Sequence, residues 1–104
     1  MGKIKWSEKA GSHLQAIHDF IANDSRTYAI RFIKSLIKAA LKLEKSPRCG
    51  RIVPEFEIYG FREVIYQNYR IVYRIKDDDR VEILAVIHCA RDFKTTFSQE
   101  WELN

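Results

Sequence analysis

FREVIYQNYRIVYRIKDDDRVEILAVIHCARDF, residues 61–93, decides how this chain folds. Its apolar and polar side chains alternate with period two, and the alternation breaks at Gln67-Asn68 and at Asp77-Asp78-Asp79. Such alternation belongs to strands with two unlike faces, and the breaks carry turn chemistry. The stretch therefore predicts a three-strand antiparallel meander. A two-residue turn at Gln67-Asn68 sets Tyr66 opposite Tyr69, Val64 opposite Ile71 and Glu63 opposite Val72. A three-residue turn at 77–79 sets Arg74 opposite Glu82, Ile75 opposite Val81, Tyr73 opposite Ile83 and Ile71 opposite Ala85. A four-residue turn would instead put Glu82 against Ile75 on the apolar face, where an unpartnered carboxylate is costly.

This register gives one apolar face: Val64, Tyr66, Tyr69, Ile71, Tyr73, Ile75, Val81, Ile83, Ala85 and Ile87. The opposite face carries Glu63, Arg70, Arg74, Glu82 and His88 over a floor of Phe61, Ile65, Val72 and Leu84. Arg62 and Arg91 lie at the two ends of the meander, and His88 falls diagonal to Arg70. The expectation is a basic platform, with Arg62, Glu63, Arg70, Arg74 and Arg91 as candidate binding residues. Glu63 lies within reach of both Arg70 and Arg74, and Arg74 opposite Glu82 reads first as a structural ion pair.

The apolar face needs a cover, and the sequence before it supplies one. Lys3 to Ser7 alternates as a short strand, and Ser7 can cap a helix over about residues 8–22, whose Ala10, Leu14, Ile17 and Ile21 share one side. Asp24 or Ser25 can cap a second helix reaching about Lys45, with Ala29, Phe32, Ile33, Leu36, Ile37, Ala40 and Leu43 as its apolar stripe. Its outer side is basic, with Arg31, Lys34, Lys38 and Lys42, and reads as a solvated face. Ser46-Pro47 ends the helix. Residues 51–55 (RIVPE) read as an extended edge, because Pro54 cannot donate to a ladder. The fold class expected is α+β: a short N-terminal strand, then an antiparallel helical hairpin packed on a three- to four-stranded antiparallel meander.

A length of 104 residues fits one domain spanning 1–104, and the composition, 46% hydrophobic and 31% charged, is that of a globular chain. The net charge of +4 favours an anionic partner. Cys49 and Cys89 lack metal-ligand spacing and read as reduced thiols of a cytoplasmic protein. No apolar run is long enough for a membrane span. His13 and His18 read as surface residues, and no metal site or cofactor is expected. Trp101 leaves two readings open, folding back on the sheet or docking a partner.

The text of the chain resembles the RelE/ParE superfamily of toxin–antitoxin toxins over essentially its whole length. The pieces that carry this are W-S-x-x-A from Trp6, S-P-x-x-G-R-x-V-P-E from Ser46 to Glu55, F-R-E with N-Y-R-I-V-Y-R-I from Phe61 to Ile75, and I-L-A-V-I-H-x-A-R-D from Ile83 to Asp92. The resemblance implies a growth-inhibiting toxin neutralised by a cognate antitoxin protein. It also implies one of two targets: DNA gyrase, poisoned by ParE-type members, or the ribosome and its mRNA, cleaved by RelE-type members.

For the RelE-type reading, Arg70 matches an Arg that follows the meander Tyr, Arg91 a basic residue near the end of the last strand, and Arg62 a Lys at the start of the meander. Val64 stands where a second catalytic Lys is found, and Phe97 where a C-terminal Tyr acts. A phenyl ring takes no proton, so His88 would have to serve as base. Catalytic Arg70, His88 and Arg91 are thus implied only if the chain is RelE-like. The V-P-E, R-E and H-x-x-R-D text is closer to ParE-type sequences. A non-toxic binding module decayed from a toxin is a third reading.

Overall fold

The alternation of residues 61–93 is realised as the middle of a five-stranded sheet. The computed structural model describes residues 3–103. Its elements are β1 (Ile4–Trp6), α1 (Glu8–Ala22), α2 (Arg26–Leu41) with a 3₁₀ turn (Lys42–Glu44), and β2 (Arg51–Ile52). A longer 3₁₀ segment (Pro54–Tyr59) follows, then β3 (Arg62–Tyr66), β4 (Tyr69–Ile75), a 3₁₀ turn (Asp77–Asp79), β5 (Val81–His88) and α3 (Phe93–Trp101). The sheet order is β1-β5-β4-β3-β2. β1 runs parallel to β5, while the remaining neighbours are antiparallel. The α+β architecture expected from sequence is present, widened to five strands and made mixed by β1. Among the described residues no helix is long and apolar enough to cross a membrane.

Local chemistry sets the helix starts. The Ser7 hydroxyl accepts from the Ala10 N–H at 3.1 Å and the Ser25 hydroxyl from the Tyr28 N–H at 3.1 Å, each satisfying one orphan donor of a first turn. α1, α2 and the 3₁₀ turn after it then lay Ala10, Ile17, Leu36, Ala40 and Leu43 on Val64, Ile71, Tyr73, Val81, Ile83 and Val86 of the sheet. The edge segment is shorter than its sequence suggests. Only Arg51 and Ile52 pair with β3, and Pro54 opens the 3₁₀ segment instead of prolonging the strand. Gly60, at φ 71°, ends that segment in the left-handed region that its missing Cβ allows.

The hairpin registers follow the expected turns. Glu63 faces Val72, Val64 faces Ile71 and Tyr66 faces Tyr69. Arg74 faces Glu82, Ile75 faces Val81 and Tyr73 faces Ile83, around a turn in which Asp78 and Asp79 take left-handed φ values of 62° and 58°. Beyond that point the strands slip. Val72 faces Ala85 and Ile71 faces Val86, so Leu84 is one residue too many: a β-bulge. A slip of one residue exchanges the faces of everything that follows. Ala85 and Ile87, expected beneath the helical hairpin, therefore point to the opposite side, and Val86 takes the hairpin side.

The opposite face is not an open platform. α3 and the Pro54–Tyr59 segment cover it, forming a second core of Val53, Phe56, Val72, Leu84, Ala85, Ile87, Phe93 and Phe97, with Phe61, Trp101 and Leu103 packed at its margin. Phe93, Phe97 and Trp101 recur at i, i+4 and i+8, one side of α3. Asp92 starts that helix, its carboxylate accepting from the Thr95 N–H at 3.3 Å and the Thr95 hydroxyl at 2.9 Å. Cys49 and Cys89 are exposed, free thiols.

Past Trp6 the β1 edge of β5 has no strand partner among the described residues, and side chains take over the ladder's work. The Leu84 carbonyl accepts from the Ser7 hydroxyl at 3.3 Å and from the Trp101 indole N–H at 3.1 Å. The Val86 N–H donates to Nδ1 of His13 at 3.0 Å. Trp101 thus folds back on the sheet, and Lys9 Nζ lies 4.6 Å above its ring.

The turn before β2 is seated on Tyr73. The buried phenol donates to the Pro47 carbonyl at 2.6 Å and accepts from the Gly50 N–H at 3.0 Å. A Cβ on Gly50 would stand 2.6 Å from the Glu63 carbonyl oxygen and 2.6 Å from the Tyr73 oxygen. Gly50→Ala is expected to cost about 1–3 kcal/mol through this overpacking. Tyr73→Phe should cost a similar amount, about 1–3 kcal/mol, by orphaning two backbone groups. Urea titration followed by tryptophan fluorescence should show both midpoints lowered. A wild-type midpoint for Gly50→Ala would mean that the turn does not rest on Tyr73.

Candidate functional site

The ionisable chemistry of the α3-covered face centres on Glu63. Alternation along β3 and β4 points Glu63 and Arg70 to that face, and the β2 register sets Arg51 beside Glu63. Glu63 is 1% exposed. Its Oε1 accepts from Arg70 Nε at 2.5 Å and its Oε2 from Arg51 Nε at 2.6 Å. Arg70 turns the rest of its guanidinium to Glu55, with Nη1 to Oε2 at 3.1 Å and Nη2 to Oε1 at 2.8 Å. Pro54 places Glu55 there by starting the 3₁₀ segment. The Phe93 ring covers the guanidinium, its centroid 3.8 Å from Cζ.

Four charges therefore alternate in a row, Arg51, Glu63, Arg70 and Glu55, across β2, β3, β4 and the 3₁₀ segment. Buried charges persist only when paired in this way. The Arg70 hydrogen bonds hold the Glu55 carboxyl below the ordinary glutamate range, against the opposing effect of burial. Burial works to lower the Arg70 pKa, but the bonds to Glu55 and Glu63 outweigh it and raise it. All three guanidinium nitrogens are engaged by carboxylates, and the side chain is 10% exposed. A phosphate brought to this group would meet two carboxylates first.

The other candidates are dispersed. Arg74 is exposed and bound to Glu82 Oε1 at 2.6 Å through Nη2 and 2.7 Å through Nε, the pairing expected. Arg62 points away from Arg70, its Nη1 donating to the Gly50 carbonyl at 2.7 Å and the Arg48 carbonyl at 3.2 Å. The bulge carries His88 to the α1 side of the sheet, opposite Tyr69 rather than diagonal to Arg70. Its ring meets Tyr69 edge-on at 5.1 Å, and its Nδ1 accepts from the Ala90 N–H at 3.0 Å, so the neutral ring carries its proton on Nε2. Arg70 and His88 thus lie on opposite faces. Phe97 is fully buried, stacked on Phe93 and in contact with Phe56, Phe61 and Trp101.

His88 and Arg91 share a different recess. An open cavity of about 630 Å³ lies between α1, the ends of β4 and β5, and α3, lined by His13, Phe20, Tyr69, His88, Arg91 and Glu100 among others. Burial raises the pKa of the Tyr69 phenol, so near neutral pH it is a proton donor and not a base. His13, read from sequence as a surface residue, ties three elements together. It accepts from the Val86 N–H, and its Nε2 hydrogen bonds Glu100 Oε2 at 2.8 Å and Oε1 at 2.9 Å. Sequence reasoning missed Glu55 and Glu100 as partners. The aromatic spacing of residues 93, 97 and 101 was the available signal that α3 packs down on the sheet.

Comparison with known proteins places these features in a family. The profile described as "ParE toxin of type II toxin-antitoxin system, parDE" matches residues 4–93. No curated protein sequence matches. Among solved structures, the chain is similar to one from the chromosomal ParDE system of P. aeruginosa, at TM-score 0.70 and 22% identity over 85% of this chain and 96% of that one. It is also similar to a chain of the RelBE2 toxin–antitoxin complex of Mycobacterium tuberculosis, at TM-score 0.63 and 23% identity over 84% and 96% of the two chains. At these identities the structural likeness establishes the fold alone.

Two outcomes follow from the charge row. Glu63→Ala leaves a buried guanidinium short of a partner and should destabilise the protein by about 3–5 kcal/mol. Adding Arg70→Met should recover much of that loss, as replacing a whole buried pair by apolar groups often does. A double variant no more stable than Glu63→Ala, measured by urea unfolding, would contradict this account. Glu55 has a lowered pKa in the folded state, so its contribution is present above the unfolded value of about 4.3 and is lost as pH falls through the lower folded value. Stability measured against pH in that acid window should fall less steeply in Glu55→Gln than in the wild type. Identical slopes would exclude the Arg70 contact as a source of acid sensitivity.

Proposed function

The chain belongs to the ParE toxin family of type II toxin–antitoxin systems, and from that premise we propose that it arrests growth by poisoning DNA gyrase until a cognate antitoxin covers it. The observation that carries this choice is the state of the two positions an mRNA-cleaving relative would need. Arg70 is locked between Glu55 and Glu63 under Phe93, and Phe97 is sealed in the second core. Cleavage at an RNA 2′-hydroxyl requires a base and an open cationic clamp at the same phosphate. Here the clamp residue is neutralised twice over, and the aromatic position has neither a proton-accepting atom nor access to solvent.

In this reading Arg70 and Glu63 are positioning residues that hold β2, β3 and the Pro54–Tyr59 segment in shape. Contact with the target falls to the exposed Arg74 and Arg91 and to Arg62. The work is done in the cytoplasm, where gyrase is, without metal or cofactor. A protein antitoxin is supported by the toxin–antitoxin systems from which the structural neighbours come.

One observation favours the RelE-like alternative: His88 and Arg91 line the same cavity. In that case His88 would be the base and Arg91 the clamp, with Arg70 orienting the sheet beneath them. A decayed, non-toxic module is the third reading, and growth measurements address it.

Induction of the chain alone in bacteria should stop growth, and co-expression of the antitoxin encoded beside it should restore growth. Purified protein with gyrase and plasmid should block supercoiling or trap cleaved DNA, while translating ribosomes should show no toxin-dependent mRNA cuts. Codon-phased cuts that His88→Ala slows by about 10²–10⁴-fold would establish the nuclease reading instead. Normal growth with abundant soluble protein would leave the decayed module.

A further inference from the structure

The chain's excess positive charge sits on one helix. Residues 26–45 hold six basic side chains (Arg26, Arg31, Lys34, Lys38, Lys42 and Lys45) against the single carboxylate of Glu44, a net +5. The rest of the chain holds twelve basic and thirteen acidic residues, a net −1, so the total of +4 originates on α2 and the turn after it. Elsewhere acidic residues offset the cations, and Arg48, Arg51, Arg70 and Arg74 sit in ion pairs. Arg31, Lys34, Lys38 and Lys42 are exposed, and among the described residues none of them has an acidic partner.

Their spacing makes a stripe. At 100° per residue, positions 31, 34, 38 and 42 fall within an arc of about 80°, and they extend about 16 Å along the axis. The stripe lies opposite Ala29, Leu36 and Ala40, the buried side of α2, which the sheet holds in place. A rigid row of unpaired cations, with no carboxylate in α2 to dilute it, is the electrostatic footprint of a polyanion site.

The composition of the stripe selects among polyanions. A protein partner needs apolar anchors at the centre of its contact. The exposed apolar residues of α2, Ile30 and Leu41, fall to one side of the row. Single-stranded nucleic acid needs aromatic platforms for its bases, and no ring lies within the arc; Tyr28 is outside it. A duplex backbone needs only cations. We propose that the outer face of α2 is a sequence-independent docking surface for the phosphate backbone of duplex DNA. The inference does not depend on which enzyme the toxin inhibits, since a protein that met its target on DNA and one that did not would carry the same stripe.

The test is equilibrium binding of the full-length protein to fluorescent 20-base-pair duplexes of two unrelated sequences, at several salt concentrations. Both duplexes should bind alike. Four phosphates neutralised at about −0.9 each in the log–log salt slope predict a loss of roughly 10²-fold between 50 and 200 mM salt. Lys34→Gln with Lys38→Gln should make the slope shallower by about 2. Lys76→Gln with Arg80→Gln, which removes two exposed cations far from α2 in sequence, should leave it unchanged. Circular dichroism checks the fold, and if the double variant is unstable, Lys38→Gln alone should reduce the slope by about 1. The proposal is overturned by absence of duplex binding at 50 mM salt, by a wild-type slope in the stripe variant, or by an equal loss in the Lys76/Arg80 control. Displacement of the duplex by polyglutamate at equal charge concentration would assign the face to an acidic protein and overturn it as well.

Discussion

A carboxylate buried between two guanidiniums constrains everything around it. Glu63 lies near the start of β3 with almost no access to water, and it is tolerable there only because Arg51 and Arg70 reach it from the strands on either side. Arg70 in turn has too many donors for one carboxylate, so the chain must bring Glu55 over the sheet and lay Phe93 on the guanidinium. Those two requirements fix the path of residues 54–59 and the seat of α3. The second core of aromatic side chains is the apolar consequence of satisfying one polar group.

The bulge at Leu84 distributes the remaining chemistry. Without it, His88 would share a face with Arg70, and the meander would present a base and a clamp together. With it, His88 moves to the α1 side beside Tyr69, and Val86 presents its N–H to His13. One inserted residue thus places Arg70 and His88 on opposite faces of the sheet. On the other side of β5, β1 ends at Trp6, and Ser7, His13 and Trp101 converge on the Leu84 and Val86 backbone groups left there.

Charge follows the same division. On the sheet, Arg51, Arg70 and Arg74 are matched by carboxylates at close range and shape the surface. On α2 no cation has a carboxylate partner among the described residues. A ParE-family toxin organised in this way has one face whose ion pairs set geometry and another whose cations are free to meet a partner.

The sequence by itself determined the helical hairpin, the three-strand meander, both turns and the Arg74–Glu82 pairing, because each depends on local periodicity or on residues a few positions apart. It also identified the family, whose motifs are spread in order along the chain. Tertiary structure alone decided the bulge, since an extra residue in a strand of Ile, Leu, Ala and Val leaves no mark in an apolar run. The burial of Glu63 and Arg70 was equally illegible, because their alternation matches that of a solvent-exposed face. What turned that face inward was α3, whose Phe93, Phe97 and Trp101 acquire meaning only once they have a surface to cover. His13 changed from a surface residue to a tie for the same reason: its partners, Val86 and Glu100, are 73 and 87 residues away, and only the closed fold brings such distant groups within hydrogen-bonding range.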